Sequence, residues 1–184
     1  MNADLATHRQ GGSSLIEVLV TIIIVAFGLL GMAGLQARME LSEMESYQRA
    51  QALVLLSDMA NRITTNRTDA ANYATAAPLG AGANCPVSVA NRREIDKGQW
   101  CAALRGAAES NESGAMIDGR GCVEALPDNE YLVTVAWQGL TPVSAPPASV
   151  TCGQNLYDGP AGSPCQDDRC RRVVTTVVRI ATLN

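Results

Sequence analysis

The chain has 184 residues, a formal net charge of −4 and a hydrophobic fraction of 47%. That length suits one globular domain plus an extended element. The mild acidity argues against a nucleic-acid partner, which calls for a basic stripe. His8 is the one histidine and Lys97 the one lysine. The side chains that usually activate a Ser or Cys nucleophile are therefore nearly absent, and we expect neither catalysis nor a cofactor.

A polar leader at residues 1–12 precedes a predominantly apolar run at residues 15–35. A spanning helix needs about 20 apolar residues, so the run is long enough to cross a bilayer. Glu17 is the one charged residue inside it. A lone acid in a membrane helix costs a few kcal/mol and calls for a partner of opposite charge. Arg9 favours a cytoplasmic leader.

Three interpretations of the apolar run need no assembly function. The first is the core of a secretory signal peptide, but the run is longer than an ordinary signal core, and Ala33-Gly34-Leu35-Gln36-Ala37 is a poor cleavage site. The second is a plain signal anchor, which leaves the cost of Glu17 unexplained. The third is a buried core helix, although a small domain has no need of one so uniformly apolar.

The end of the leader and the start of the run carry a recognisable pattern. The residues Gly12-Ser13-Ser14-Leu15-Ile16-Glu17-Val18-Leu19-Val20 resemble the class III signal of type IV pilins and type II secretion pseudopilins. The resemblance implies that a prepilin peptidase cuts between Gly12 and Ser13 and that the new amine of Ser13 is methylated. It also implies that Glu17 pairs with the N-terminal amine of a neighbouring subunit. Ser13 departs from the family, most of whose members have an aromatic residue or Met there.

Two further segments, residues 24–36 and residues 133–139, are similar to minor pilins of the PilV type. The implied function is a subunit stored in the bacterial inner membrane that takes part in priming type IV pilus assembly. Its implied partners are other minor pilins, the major pilin and the pilus assembly platform. The C-terminal domain would lie in the periplasm, and the assembled subunit at the pilus tip.

Two other functions stay open. A minor pseudopilin of a type II secretion system would share the leader, the helix and the fold. A signal-anchored periplasmic binding or enzyme domain is the alternative from a different functional class. The N-terminus of the mature protein separates the pilin-like functions from the anchored domain.

Helical character continues beyond the apolar run, because residues 38–63 contain no Pro or Gly and are rich in good helix formers. We predict one helix over residues 13–65, ~80 Å long, that stops with Asn66 in the left-handed C-cap conformation. Its second half has one apolar face at helical spacing. That face consists of Leu41, Met44, Ala52, Leu55, Leu56, Met59, Ala60 and Ile63.

The predicted fold class is α+β, with a long N-terminal α-helix and a pilin-like, disulfide-stapled C-terminal domain. The apolar half of the helix is expected to protrude, and the amphipathic half to pack on an antiparallel β-sheet. The predicted segments are a cleaved cytoplasmic leader at 1–12, an assembly half at 13–37, an amphipathic half at 38–66 and a periplasmic globular domain at 67–184.

Three glycines, Gly28, Gly31 and Gly34, recur at intervals of three within the apolar run. Glycine is tolerated in membrane helices more often than in soluble ones. Each nevertheless weakens a helix by about 1 kcal/mol relative to Ala. We favour a role in close helix packing or in bending during assembly.

All six cysteines lie beyond the apolar run: Cys85, Cys101, Cys122, Cys152, Cys165 and Cys170. An even number confined to the exported part indicates disulfides formed in an oxidising compartment. The sequence does not choose among the many pairings. A metal site is not expected, because no C-x-x-C pair is present and His8 lies in the leader.

The remaining chain predicts a loop-rich region at 67–130, with a linker at 70–83 and a short helix within 91–109. A β-hairpin is predicted from residues 122–126 and 130–138, followed by a long loop at 141–168 and a strand within 172–181. Trp100 and Trp137 are expected in the core. The charged residues Asp167, Asp168, Arg169, Arg171 and Arg172 are expected to form a solvated surface cluster rather than a calcium or partner site.

Overall fold

The structure is a computed structural model that describes residues 14–106 and 116–181. Its elements in chain order are helix α1 (Leu15–Thr65), a 3-10 helix (Arg67–Tyr73), strand β1 (Leu79–Gly80), helix α2 (Arg92–Leu104), and strands β2 (Arg120–Leu126), β3 (Glu130–Gln138) and β4 (Arg171–Arg179). The predicted α+β class is confirmed. The chain divides into two compact units between Ser42 and Glu43, within α1.

The four strands form one antiparallel sheet in the order β1-β2-β3-β4. The predicted hairpin is confirmed, with β2 beginning two residues earlier than expected at Arg120. Its turn places Asp128 and Asn129 at φ 61° and 56°, a backbone region that Asp and Asn tolerate better than most residues. The predicted C-terminal strand is also confirmed as β4.

The core of the second unit lies between one face of α1 and one face of the sheet. Ala52, Met59 and Ile63 are fully buried there, and Leu56 is nearly so. They belong to one hydrophobic cluster with apolar side chains of all three long strands: Val123, Tyr131, Val133, Val135, Trp137, Val174 and Val178. The predicted packing of α1 on the sheet is therefore confirmed from Ala52 onwards.

The beginning of the predicted apolar face differs from the structure. Leu41 and Met44 are 44% and 52% exposed, whereas the polar Gln48 is buried. The spacing of residues on a helix shows which side chains share a face, but it does not show where the sheet begins to cover that face. The prediction was wrong for Leu41 and Met44.

Polar contacts near both ends of the second half of α1 fix it to the rest of the second unit. Near its start, Glu45 Oε1 accepts hydrogen bonds from the backbone N–H groups of Leu140 and Thr141, each at 3.2 Å, and from the Thr141 hydroxyl at 3.0 Å. Arg172 Nη2 lies 3.1 Å from the same oxygen. Partial burial alone would raise the pKa of Glu45, but the Thr141 and Arg172 contacts outweigh it and hold that pKa below its usual 4.5.

The second contact lies near the end of α1, where Asp96 of α2 is buried. Its carboxylate accepts hydrogen bonds from Arg62 Nη1 at 2.8 Å and from the Tyr73 hydroxyl at 2.6 Å, and Arg92 Nε lies 3.0 Å from it. Burial first, and then the Asp96 contact, raise the pKa of Tyr73 to about 12. Asp96 therefore joins α1, α2 and the 3-10 helix through one buried carboxylate.

The segment after α1 corrects two predictions. Asn66 has φ −106° and ψ 46°, so it does not take the left-handed conformation. The chain instead continues into the 3-10 helix, and two residues of the predicted linker at 70–83 enter the core, namely Ala70 and Tyr73. A stretch of small and polar residues carries no periodic signal for such a short helix.

The helix predicted within 91–109 is confirmed as α2. The Asn91 side chain caps it by accepting a hydrogen bond from the Glu94 N–H at 2.9 Å. Trp100 of α2 is fully buried and donates from Nε1 to the Leu55 carbonyl at 2.9 Å. Trp137 is 4% exposed, so both tryptophans are core residues, as predicted.

Three disulfides join the cysteines in the pairs Cys85–Cys101, Cys122–Cys152 and Cys165–Cys170. The first attaches the loop before α2 to that helix. The second attaches the long loop after β3 to β2, and the third closes a short turn before β4. The predicted long loop at 141–168 is confirmed, since it contains no helix or strand.

The charged residues before and within β4 contradict the predicted solvated cluster at two positions. Arg171 and Asp168 are only 1% and 6% exposed, and Arg171 Nη2 lies 3.0 Å from the Asp168 carboxylate. Arg171 Nη1 also donates to the carbonyls of Val150 and Cys152. The long loop folds over Arg171, and the sequence gives no local sign of that long-range contact.

We predict that Glu45→Gln lowers the free energy of unfolding by about 1 kcal/mol at pH 7, since a charge-assisted contact is lost at a partly exposed site. Because the folded-state pKa of Glu45 lies below its usual value, this contribution is present above pH 4.5 and is lost as the pH falls through the folded-state pKa. Urea unfolding of the full chain in detergent at neutral and acid pH measures both effects.

The matched control is Glu43→Gln, which removes a carboxylate from an exposed position of the same helix. It should leave stability unchanged within about 0.5 kcal/mol. A difference between the Glu45→Gln variant and the wild type that is the same at every pH would contradict the assigned role of the Glu45 charge.

Candidate functional site

The candidate functional site is the apolar segment of α1, residues 15–35. Its large apolar side chains are all exposed, from 45% at Ile23 to 85% at Leu15. This part of α1 is long and apolar enough to cross a membrane. Burying each such side chain is worth about 1.5–3 kcal/mol. The segment therefore requires cover from lipid or from other apolar helices.

Glu17 lies in the first turn of α1. Its backbone N–H donates to the Ser14 carbonyl at 2.8 Å, and the same carbonyl accepts from the Val18 N–H at 3.2 Å. The Thr21 hydroxyl donates to the Val18 carbonyl at 2.8 Å, so its polar group is satisfied within the helix. Glu17 is the one residue of the apolar segment with an ionisable side chain.

The position of Glu17 suits an anionic side chain, because the unsatisfied N–H groups of the first turn favour negative charge. This local effect is worth about 0.3–1 kcal/mol at an exposed helix end. It is smaller than the few kcal/mol that a charge costs within a bilayer.

The three glycines lie within an unbroken part of α1. A Cβ atom built on Gly28, Gly31 or Gly34 would meet no atom of the described chain within 4 Å. The fold of the chain itself therefore gives no steric reason for glycine at these positions. A role in helix packing or bending stays a prediction about an assembly.

The predicted cleavage and methylation positions, Gly12 and Ser13, lie outside the described residues. The described chain does bring the predicted cysteines together in pairs. Glu17 and the three glycines share the first part of α1, whereas the disulfides belong to the second unit. The predicted residues therefore form two groups, one along the apolar segment and one that staples the globular unit.

Sequence reasoning missed a second apolar surface, on the part of α1 that belongs to the globular unit. Tyr47, Leu53 and Val54 are 47%, 47% and 60% exposed there. The signal was available, because these positions lie off the buried face of Ala52, Leu56, Met59 and Ile63. A helix with apolar side chains on two faces is not simply amphipathic.

A groove of about 570 Å³ beside α2 has walls of small apolar residues, and Glu94 and Lys97 are the charged groups that line it. Lys97 Nζ donates to the carbonyls of Asn72 and Ala74 at 2.8 and 3.1 Å. Burial lowers the pKa of this amine. Within residues 14–106 and 116–181, no three His, Cys, Asp or Glu side chains are grouped so as to hold a metal ion.

Comparison with known proteins gives one family match, to the prokaryotic N-terminal methylation motif, over residues 7–33. No curated protein and no solved structure matches the chain. The matched motif is the prepilin-type signal of type IV pilin-like proteins. It supports a place for the chain in the pilin superfamily, and it spans the second half of the leader and most of the apolar segment. A single membrane pass through the inner membrane is consistent with this match.

We predict that Val25→Arg combined with Leu29→Arg releases the chain from membranes. An arginine near the centre of a membrane helix costs about 2.5–3.5 kcal/mol, so the pair should cost about 5–7 kcal/mol. Carbonate extraction of membranes measures the retained fraction. The matched control is Ser42→Arg combined with Ser46→Arg, which has the same spacing beyond the apolar segment and should stay in the membrane pellet. Equal retention of both double variants would contradict a spanning role for residues 15–35.

Proposed function

We propose that this chain is a minor pilin of the PilV type that takes part in priming type IV pilus assembly. The observation that carries the proposal is an exposed apolar helix half that lies largely within a match to the N-terminal methylation motif. In the proposed function the subunit waits in the bacterial inner membrane, with its globular domain in the periplasm. Its helix then moves laterally from lipid into a bundle of other subunits.

The proposed transfer has a simple energetic basis. Lipid tails and apolar helices both cover the side chains of residues 15–35, so the move changes the hydrophobic free energy little. Glu17 is the exception, because its charge is costly in either environment without a partner. We propose that prepilin peptidase cleavage after Gly12 frees the amine of Ser13 and that such an amine on a neighbouring subunit pairs with Glu17.

The globular unit supports a role in recognition rather than in chemistry. Its three disulfides are typical of proteins that fold in an oxidising compartment, which agrees with the proposed periplasmic location. The charged groups of the groove beside α2 include Lys97, whose amine is already bound to backbone carbonyls. We therefore propose a structural subunit and not an enzyme.

The PilV type is preferred over a type II secretion pseudopilin because of two segments. Residues 24–36 cover the second part of the apolar segment and the residue after it, and residues 133–139 include most of β3. Both resemble PilV-type minor pilins. The proposed partners are accordingly prepilin peptidase, other minor pilins, the major pilin and the pilus assembly platform.

We predict that the native protein begins at Ser13. Mass spectrometry of the N-terminal peptide from membranes would then show a peptide that starts at that residue, with or without a methyl group on its amine. Gly12→Leu should leave the leader attached, because a bulky residue replaces the glycine of the cleavage site. A native protein that begins at Met1, or beyond Ala33, would contradict the proposal.

We predict that Glu17→Gln leaves cleavage intact and lowers incorporation into assembled pili at least about tenfold, equivalent to losing about 1.4 kcal/mol of pairing free energy. Quantitative immunoblotting of sheared pili, normalised to the processed subunit in membranes, measures this. The matched control is Glu40→Gln, on the same helix beyond the apolar segment, which should assemble normally. Normal incorporation of the Glu17→Gln variant would remove the charge-pairing argument.

A further inference from the structure

The two edges of the sheet differ in length and in cover. The β1 edge is two residues long, and the Gly80 N–H of β1 points to the sulfur of Cys101 in α2 at 3.2 Å. The opposite edge is β4, which is nine residues long, about 30 Å at the usual rise per residue. Within the described chain, β4 pairs with β3 alone.

The register shows which backbone groups of β4 face away from the sheet. The Gly139 N–H donates to the Cys170 carbonyl and the Ile180 N–H donates to the Asn129 carbonyl, so even-numbered residues of β4 face β3. In an antiparallel ladder the alternate residues face outward. These are Val173, Thr175 and Val177, and their N–H and C=O groups have no partner in the part of the chain that is described.

Nothing in the sequence of this edge blocks further pairing. Natural sheets protect long edges with proline, a central charge or a bulge. Residues 173–178 contain none of these residue types, and the β3–β4 register is continuous from Arg171 to Arg179. Next to the edge, Val177 is 50% exposed and pairs laterally with Leu132. An added strand would therefore gain main-chain hydrogen bonds and an apolar neighbour.

Charge argues against a second copy of β4 as the occupant. An antiparallel pair centred on Thr175 would place Arg179 opposite Arg171, and a shift by one hydrogen-bonded step would place it opposite Arg169 in one direction and opposite Val173 in the other. Residues 171–179 contain no acidic residue, so no register between two copies of β4 pairs Arg179 with an opposite charge. A parallel in-register pair would place each arginine beside its counterpart. Like charges directly opposite each other destabilise a sheet. The side chain of Arg179 is 76% exposed and forms an ion pair with Glu130. Arg179 therefore favours an acidic neighbour.

We propose that the β4 edge from Val173 to Arg179 receives an extended strand from a different protein subunit, β-branched opposite Val177 and acidic opposite Arg179. The inference rests on the sheet edge alone and goes beyond the proposed function. It therefore stands or falls separately from the role of the apolar segment.

The test uses the full chain in detergent micelles and an acetylated, amidated probe peptide of sequence Glu-Val-Thr-Val-Thr-Val-Glu. Hydrogen exchange followed by NMR reports on the amides of Val173, Thr175 and Val177. At a peptide concentration of about ten times its Kd, these amides should exchange about tenfold more slowly, because protection scales with ligand concentration over Kd. The inward-facing amides of Val174 and Thr176 serve as internal references.

Peptide controls separate strand addition from other binding. Two versions carry backbone N-methyl groups on alternate residues, in opposite phases. The version whose methyl groups face β4 should give no protection, and the other should protect as well as the parent peptide. Replacing both glutamates of the probe with lysine should weaken binding, because the peptide ends would then repel Arg179.

Two variants test the edge itself. Thr175→Pro removes one outward N–H without a loss of β3–β4 bonds and should abolish protection, whereas Thr175→Val keeps that N–H and should retain it. Three results would overturn the proposal: slow exchange of the outward amides before peptide is added, no protection by the parent peptide, or equal protection by both N-methylated versions. All three readouts use the unchanged protein, so they hold even if the proline variant fails to fold.

Discussion

The rest of the molecule depends on one constraint, which is that the apolar half of α1 has to be covered by something other than this chain. The large side chains of residues 15–35 are all at least 45% exposed. Each would gain about 1.5–3 kcal/mol on burial, so the sum far exceeds the net stability of a typical domain. A chain with this property needs surroundings that cover its apolar segment, whether those are lipid tails or neighbouring helices.

The second half of α1 meets a different requirement, because it has to stay packed on the globular unit of its own chain. Its buried face from Ala52 to Ile63 supplies non-directional apolar packing. Glu45 adds a directional contact to the residues that follow β3, and Arg62 adds one to the buried Asp96 carboxylate of α2. A force applied along α1 would be resisted by these two carboxylate contacts as well as by the apolar core.

The parts of the fold that the sequence predicts are those with a local signal. The long helix follows from composition, and the β2–β3 hairpin follows from alternation and turn chemistry. The burial of Arg171 and Asp168 has no such signal. It depends on the long loop after β3, which covers the start of β4 and is attached to β2 by the Cys122–Cys152 disulfide. The apolar segment and Glu17 could be predicted from the sequence, because their pattern reflects the apolar surroundings that the segment requires and does not depend on long-range contacts within the chain.

The apolar segment and the β4 edge differ in how strictly they select the protein that they contact. Burial of apolar helix surface is non-directional, so the apolar segment can join any helix of similar character, and Glu17 adds only one charge to the selection. A strand edge demands a fixed register, because a shift by one residue moves every side chain to the other face. A second copy of β4 offers its arginines no opposite charge, because residues 171–179 contain no acidic residue. A subunit that needs both strong retention and a particular neighbour would therefore place retention in its helix and choice of neighbour in its globular unit.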